Sequence, residues 1–125
     1  GTGKNIREWI FVEDHVNILI KLSNKGKIGE SYNIGSGYEI ENIKLIIKIC
    51  DYFDKHYPKK KSYRRLISFV KDRAGHDYRY ALNTNKLTKI LKYKFKNNFD
   101  AKLNMTIKWY ISNKKWLNKI ILKKK

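Results

Sequence analysis

The sequence is short of several things, and each shortage closes a door. Its 125 residues hold one cysteine, Cys50. A single thiol makes neither an internal disulfide nor a cysteine-rich zinc module, and this favours a reducing, cytoplasmic setting. There is one proline, Pro58, and no Pro/Gly/Ser-rich linker or internal repeat, so the chain reads as one unit, residues 1–125. No apolar run approaches the length of a membrane span. The start, Gly1-Thr2-Gly3-Lys4, has no initiator Met and no leader pattern, which suggests that the true N-terminus lies elsewhere. Acidic residues are scarce, 11 against 29 basic ones, giving a net charge of +18.

That charge admits two readings. One is a polyanionic partner, as for a small basic nucleic-acid-binding protein. The other is the residue usage of an AT-rich genome. Lysines outnumber arginines 24 to 5 and are spread through every segment. Nucleic-acid sites lean on arginine for two-pronged contacts, so the second reading is preferred and nucleic acid is not the expected partner.

What is present is an alternation of short apolar stretches and helical patterns. Glu8–Val12, Ser31–Ile34 and Leu66–Val70 read as three short strands. Asp14 is placed to cap a helix running to about Asn24, with Val12, Val16, Leu19 and Ile20 on one face. Ile43, Ile46, Ile47, Cys50 and Phe53 recur at helical spacing between Glu41 and His56, which makes Cys50 a small core residue. Asn83 or Thr84 can cap a short helix bearing Leu87, Ile90 and Leu91. A last long helix carries Phe99, Leu103, Ile107 and Tyr110, with Trp109 and Trp116 packing near its end. Residues 57–62 form a solvated loop, and residues 117–125, ending in three lysines, a frayed basic tail. The fold class is α/β, in the form of an appendage that leans on a larger domain.

Few residues point to chemistry. Gly35-Ser36-Gly37 lacks the third glycine of a dinucleotide fingerprint and is read as a tight turn. His15, His56 and His76 have no companion ligands at metal-binding spacing. No Ser–His–Asp constellation and no Tyr-x-x-x-Lys pair in a helix can be built. Two loops carry more. One places Arg7 before an apolar strand; the other, Lys71 to Tyr80, packs Asp72, Arg73, Gly75 and His76 after a strand. Arginine forks suit phosphate oxygens, while ordinary turns with surface ion pairs fit the same letters. Asn42 opens the clearest helix, where an amide and unpaired backbone N–H groups suit an anion or a hydroxyl, or a simple cap.

Taken together these residues are familiar. Ile6-Arg7-Glu8-Trp9-Ile10-Phe11-Val12-Glu13-Asp14-His15, Gly29-Glu30-Ser31-Tyr32-Asn33-Ile34-Gly35, Ile49-Cys50-Asp51 and Trp109-Tyr110-Ile111-Ser112-Asn113 with Trp116 occur in order. With Asp72-Arg73-Ala74-Gly75-His76-Asp77-Tyr78-Arg79-Tyr80-Ala81, the set resembles the carboxy-terminal part of the dTDP-glucose 4,6-dehydratases. These belong to the extended short-chain dehydrogenase/reductases. The first two stretches are shared with sugar-nucleotide epimerases and decarboxylases; the DR-x-GHD-x-RYA loop is narrower. The resemblance implies a dTDP-sugar substrate, NAD held by an amino-terminal half not in these residues, and a homodimeric full-length lyase. It implies that Arg7 and Arg73 bind the diphosphate, that Asn42 lies nearby, and that Asp72, Gly75 and His76 belong to a loop closing over the nucleotide. Ala74 stands where the family has proline, which removes a fixed φ from that loop. It also implies no dehydratase activity from these residues alone, and poor solubility.

Overall fold

The computed structural model describes residues 1–96 and 98–122. Among them are five helices and one small sheet, a mixed α/β arrangement. The elements are β1 (Ile6–Glu8), α1 (Val12–Lys25), β2 (Glu39–Glu41), α2 (Asn42–His56), β3 (Arg79–Tyr80), α3 (Asn85–Leu91), α4 (Phe99–Ser112) and α5 (Lys114–Leu122). A 3-10 turn, Tyr63–Leu66, follows α2.

β1 is the middle strand. It pairs antiparallel with β2, Arg7 opposite Ile40, and parallel with β3, Arg7 opposite Tyr80. Strand alternation therefore sends Asn5 and Arg7 to one face and Ile6 and Glu8 to the other.

The strand expectations need correction. β1 ends at Glu8, where a strand was expected to begin, because the chain turns into α1 by Val12. Segments 31–34 and 67–70 are irregular, and Leu66 lies in the 3-10 turn. A strand exists only where a neighbour completes its ladder, and neither segment has one among the described residues. Tyr32 and Ile34 instead pack against the cluster of Ile18, Leu87 and Leu91. Residues 62–64 are held to α2: Asp54 accepts from the Ser62 hydroxyl and the Tyr63 amide at 2.5 and 2.8 Å, and Asp51 grips Arg64 at 2.6 and 2.7 Å.

The helices lie where their spacing places them, but the buried faces differ: of the face expected for α2 only Cys50 is buried, and Ile46 is exposed. α2 buries Leu45, Cys50 and Tyr52, and burial pushes the Cys50 thiol up from its ordinary value. Trp109 and Trp116 meet edge to face at 5.0 Å where α4 and α5 join. Two further details differ. Phe11, not Asp14, is the N-cap of α1; Asp14 lies in the first turn and pairs with Lys102 of α4. The α1 face bearing Val12, Val16, Leu19 and Ile20 points outward, each at least 45% exposed, while Ile18 is fully buried. Residues 117–122 are helical in α5 rather than part of a frayed tail; residues 123–125 lie outside the described ones.

Candidate functional site

The candidate residues gather where β1, the start of α2 and the loop before β3 meet. Arg7 projects from β1 toward that loop. Its Nη1 donates to Ile6 O at 2.6 Å. Its Nη2 donates to Asp77 O at 2.9 Å and lies 2.8 Å from His76 Nε2. An arginine can only donate, so Nε2 of His76 is the acceptor and carries no proton. The proton of the neutral ring then sits on Nδ1, which donates to Asp72 Oδ1 at 2.8 Å. Asp72 also receives the Arg73 amide at 2.9 Å. The bond from His76, helped by that backbone amide, holds the Asp72 carboxyl below its ordinary value of 3.8 against the opposing effect of desolvation.

Arg7, His76, Asp72 and the Arg73 backbone thus form one chain of contacts. Gly75 makes the loop possible: its φ of +67° is the left-handed region, costly for any residue with a Cβ. The Arg73 side chain is exposed and, among the described residues, makes no hydrogen bond or ion pair.

Asn42 joins the group through Asn5. The Asn42 amide donates to Asn5 O at 3.0 Å, and Asn5 Nδ2 donates to Asp77 O at 3.2 Å. The Ile43 amide is likewise taken, by Gly3 O at 2.8 Å. The first two backbone donors of α2 are therefore engaged, against the expectation that they stand free for an anion. What is free is the side chain: Asn42 Oδ1 is buried and has no partner. A buried orphan acceptor wants a donor, so a hydroxyl fits it better than a phosphate oxygen.

Sequence reasoning assigned no role to Asn5 or Glu8. Asn5 is a buried polar residue, and two-residue alternation from Arg7 places it on the same face. Glu8, on the opposite face, accepts from the Gly37 amide at 2.5 Å and the Leu82 amide at 2.8 Å. It pins the turn before β2 to the exit of β3. That turn is no dinucleotide cradle. Its Gly37 donor is spent on Glu8, and β2, not a helix, comes next. The residues present do not fit NAD.

The six candidates do not line the main cavity. That space, about 980 Å3, lies between the β1–α1 link, α2 and α4, walled by apolar residues such as Trp9, Phe11, Ile46, Leu103 and Trp109. The candidates lie on a separate polar patch. Among the described residues no cluster of three His, Cys, Asp or Glu could hold a metal, and no helix is long and apolar enough to cross a membrane.

A family model described as GDP-mannose 4,6 dehydratase matches residues 1–106. The chain is 43% identical over 120 residues to dTDP-glucose 4,6-dehydratase 1 of Escherichia coli K12, covering 96% of this chain and 33% of that protein. It is 41% identical over 117 residues to dTDP-glucose 4,6-dehydratase of Haemophilus influenzae, covering 90% of this chain and 35% of that one. Among solved structures it is similar to dTDP-glucose 4,6-dehydratase of Streptomyces venezuelae, solved with NAD and TYD bound. There the TM-score is 0.80 at 33% identity, over 93% of this chain and 34% of the other. The Bacillus anthracis dTDP-glucose 4,6-dehydratase in complex with NAD gives 0.77 at 34% identity, over the same shares of 93% and 34%. The chain spans about a third of the length of the relatives it matches.

Proposed function

Because the chain belongs to the family described as GDP-mannose 4,6 dehydratase, and its relatives above are dTDP-glucose 4,6-dehydratases, we propose that it is the sugar-nucleotide-binding part of a dTDP-glucose 4,6-dehydratase. The observation that carries this is Arg7. A rare arginine of the chain stands at the middle strand of the sheet, beside a loop that offers Arg73.

In this reading Arg7 and Arg73 supply the positive charge that a diphosphate needs, Arg7 from a strand and Arg73 from a loop that can close. Asn42 presents its buried acceptor to a hydroxyl of the ligand. Asp72 and Gly75 shape the loop. The whole enzyme would convert dTDP-glucose to the 4-keto-6-deoxy sugar, a lyase reaction run through NAD that the other two thirds of such a protein would hold. It would work as a cytoplasmic homodimer. No step of that chemistry is assigned to these residues; they bind and orient.

The test is calorimetric titration of the chain with dTDP-glucose, UDP-glucose and GDP-mannose. Preferential binding of dTDP-glucose, weakened about tenfold by Arg73→Ala, is the expected result. Equal affinity for all three, or indifference to Arg73, would defeat the reading. No 4-keto-6-deoxy sugar is expected from the chain alone.

A further inference from the structure

A guanidinium grips phosphate with two parallel N–H groups, taken either from Nε and Nη2 or from Nη1 and Nη2. Nη2 belongs to both pairs. In Arg7 both Nη2 hydrogens are in use, one on His76 Nε2 at 2.8 Å and one on Asp77 O at 2.9 Å. Nη1 gives one hydrogen to Ile6 O. What remains is Nε–H and one Nη1–H, which diverge. As it stands, Arg7 cannot offer a fork to anything.

One of its two Nη2 partners must leave first. Asp77 O is backbone beside the β1–β3 ladder, which is fixed by Ile6 N donating to Tyr78 O at 2.8 Å, and it also serves Asn5. His76 is a side chain, free to turn about its own bonds. We propose that His76 is the exchangeable partner of Arg7: a diphosphate oxygen takes its place on Nη2, and the released imidazole takes up a proton and donates to the same anion. This rests on the reading of Arg7 as a diphosphate ligand.

The proton balance is simple. Before binding, His76 is neutral, its Nε2 lone pair on Arg7 and its Nδ1–H on Asp72. After binding, Nε2 faces an anion, and one proton from solvent converts the ring to imidazolium. Asp72 stays ionised and keeps the Nδ1 bond. The groups facing His76 are Arg7 from β1 and, on its own loop, Asp72, with Arg73 next to Asp72 and Asp77 next to His76 in sequence; the Gly1 amine stands beside Asp72. Imidazole is the side chain whose ordinary titration falls between pH 5 and 8. Protonation removes the contact that occupies Arg7, so affinity rises as pH falls.

The experiment uses dTDP-glucose, whose doubly esterified diphosphate takes up no proton in this range. Calorimetry in buffers of different ionisation enthalpy, from pH 8 to 6, should show uptake approaching about one proton and affinity rising by up to about tenfold per pH unit. His76→Gln can accept from Arg7 and donate to Asp72 without titrating, so its uptake should vanish; uptake by the Gly1 amine would persist in both. Independently, 15N imidazole shifts of the unmutated chain should show Nδ1–H and bare Nε2 before ligand, and both nitrogens protonated after. An Nε2–H ring in the free chain overturns the proposal. So does Arg7-dependent binding with no uptake, or with uptake unchanged in His76→Gln. No binding, or binding indifferent to Arg7→Lys, fails the diphosphate reading itself and takes this proposal with it.

Discussion

The Glu39 carboxylate grips the Arg79 guanidinium with both oxygens, 2.6 Å on each arm, across the strand that separates them. Glu39 lies on β2 and Arg79 on β3, so this fork clasps the sheet over β1. It also holds the Glu39 carboxyl below its ordinary value of 4.5.

Acid should therefore loosen the sheet in a defined window. Glu39, held down by Arg79, and Asp51, held down by Arg64, both have lowered folded values, from 4.5 and 3.8. A depressed carboxylate adds stability above its unfolded value, and the gain is lost as pH falls through the folded one. Urea midpoints should stay flat from pH 7 to about 5 and decline below about 4. The decline should be shallower in Arg79→Met and Arg64→Met. An equal slope in all three proteins would show that these forks contribute nothing to folding.

Leu87 is fully buried at the centre of the cluster joining α1, α3 and the 32–34 segment. Leu87→Ala should lower unfolding free energy by about 3 kcal/mol through lost burial and the cavity left behind. Chemical denaturation measures it directly. A loss under about 1 kcal/mol would mean that this cluster is not the packed core.

Asn42→Ala separates binding from folding. The free chain loses a buried acceptor that nothing satisfies, so its stability should hold or rise by up to about 1 kcal/mol. Affinity for dTDP-glucose should fall about tenfold. A variant that is destabilised while the affinity of its folded form is unchanged would make Asn42 a structural cap.

Gly75→Ala tests the loop. A Cβ there meets no atom within 4 Å, so only the backbone conformation resists it. A φ of +67° should cost about 1–2 kcal/mol of local stability. The protection of loop amides against hydrogen exchange should drop while that of α2 is unchanged. No local change would mean that the loop does not need this conformation.

How far the sequence could be read depended on range. Helices were legible because apolar residues such as Ile43, Ile47 and Cys50, or Leu87 and Leu91, recur within a few residues of one another, although Leu45 and Tyr52, buried in α2, were not among those the spacing picked out. Strands were not, because β1 is defined by partners more than 30 and 70 residues away. Apolar stretches such as 67–70 carry strand composition without a pairing neighbour among the described residues, and composition alone cannot tell the two apart. The site divides the same way. Arg7, Asp72 and His76 stood out as residue types at strand ends, yet their mutual contacts depend on the parallel pairing of β1 with β3. Asn5 could have been found by counting two back from Arg7. Glu8 could not, since its partners Gly37 and Leu82 are remote in sequence.

The outward apolar stripe of α1, Val12, Val16, Leu19 and Ile20, shares a surface with a net charge of +18. Each molecule carries both an adhesive strip and a cloud of like charge that keeps its copies apart. Dissolved ions thin that cloud, shrinking its reach to about 10 Å at 0.1 M and about 3 Å at 1 M. Dilute buffer should therefore favour separate molecules, and concentrated salt, so often added to quiet a basic protein, should here promote self-association.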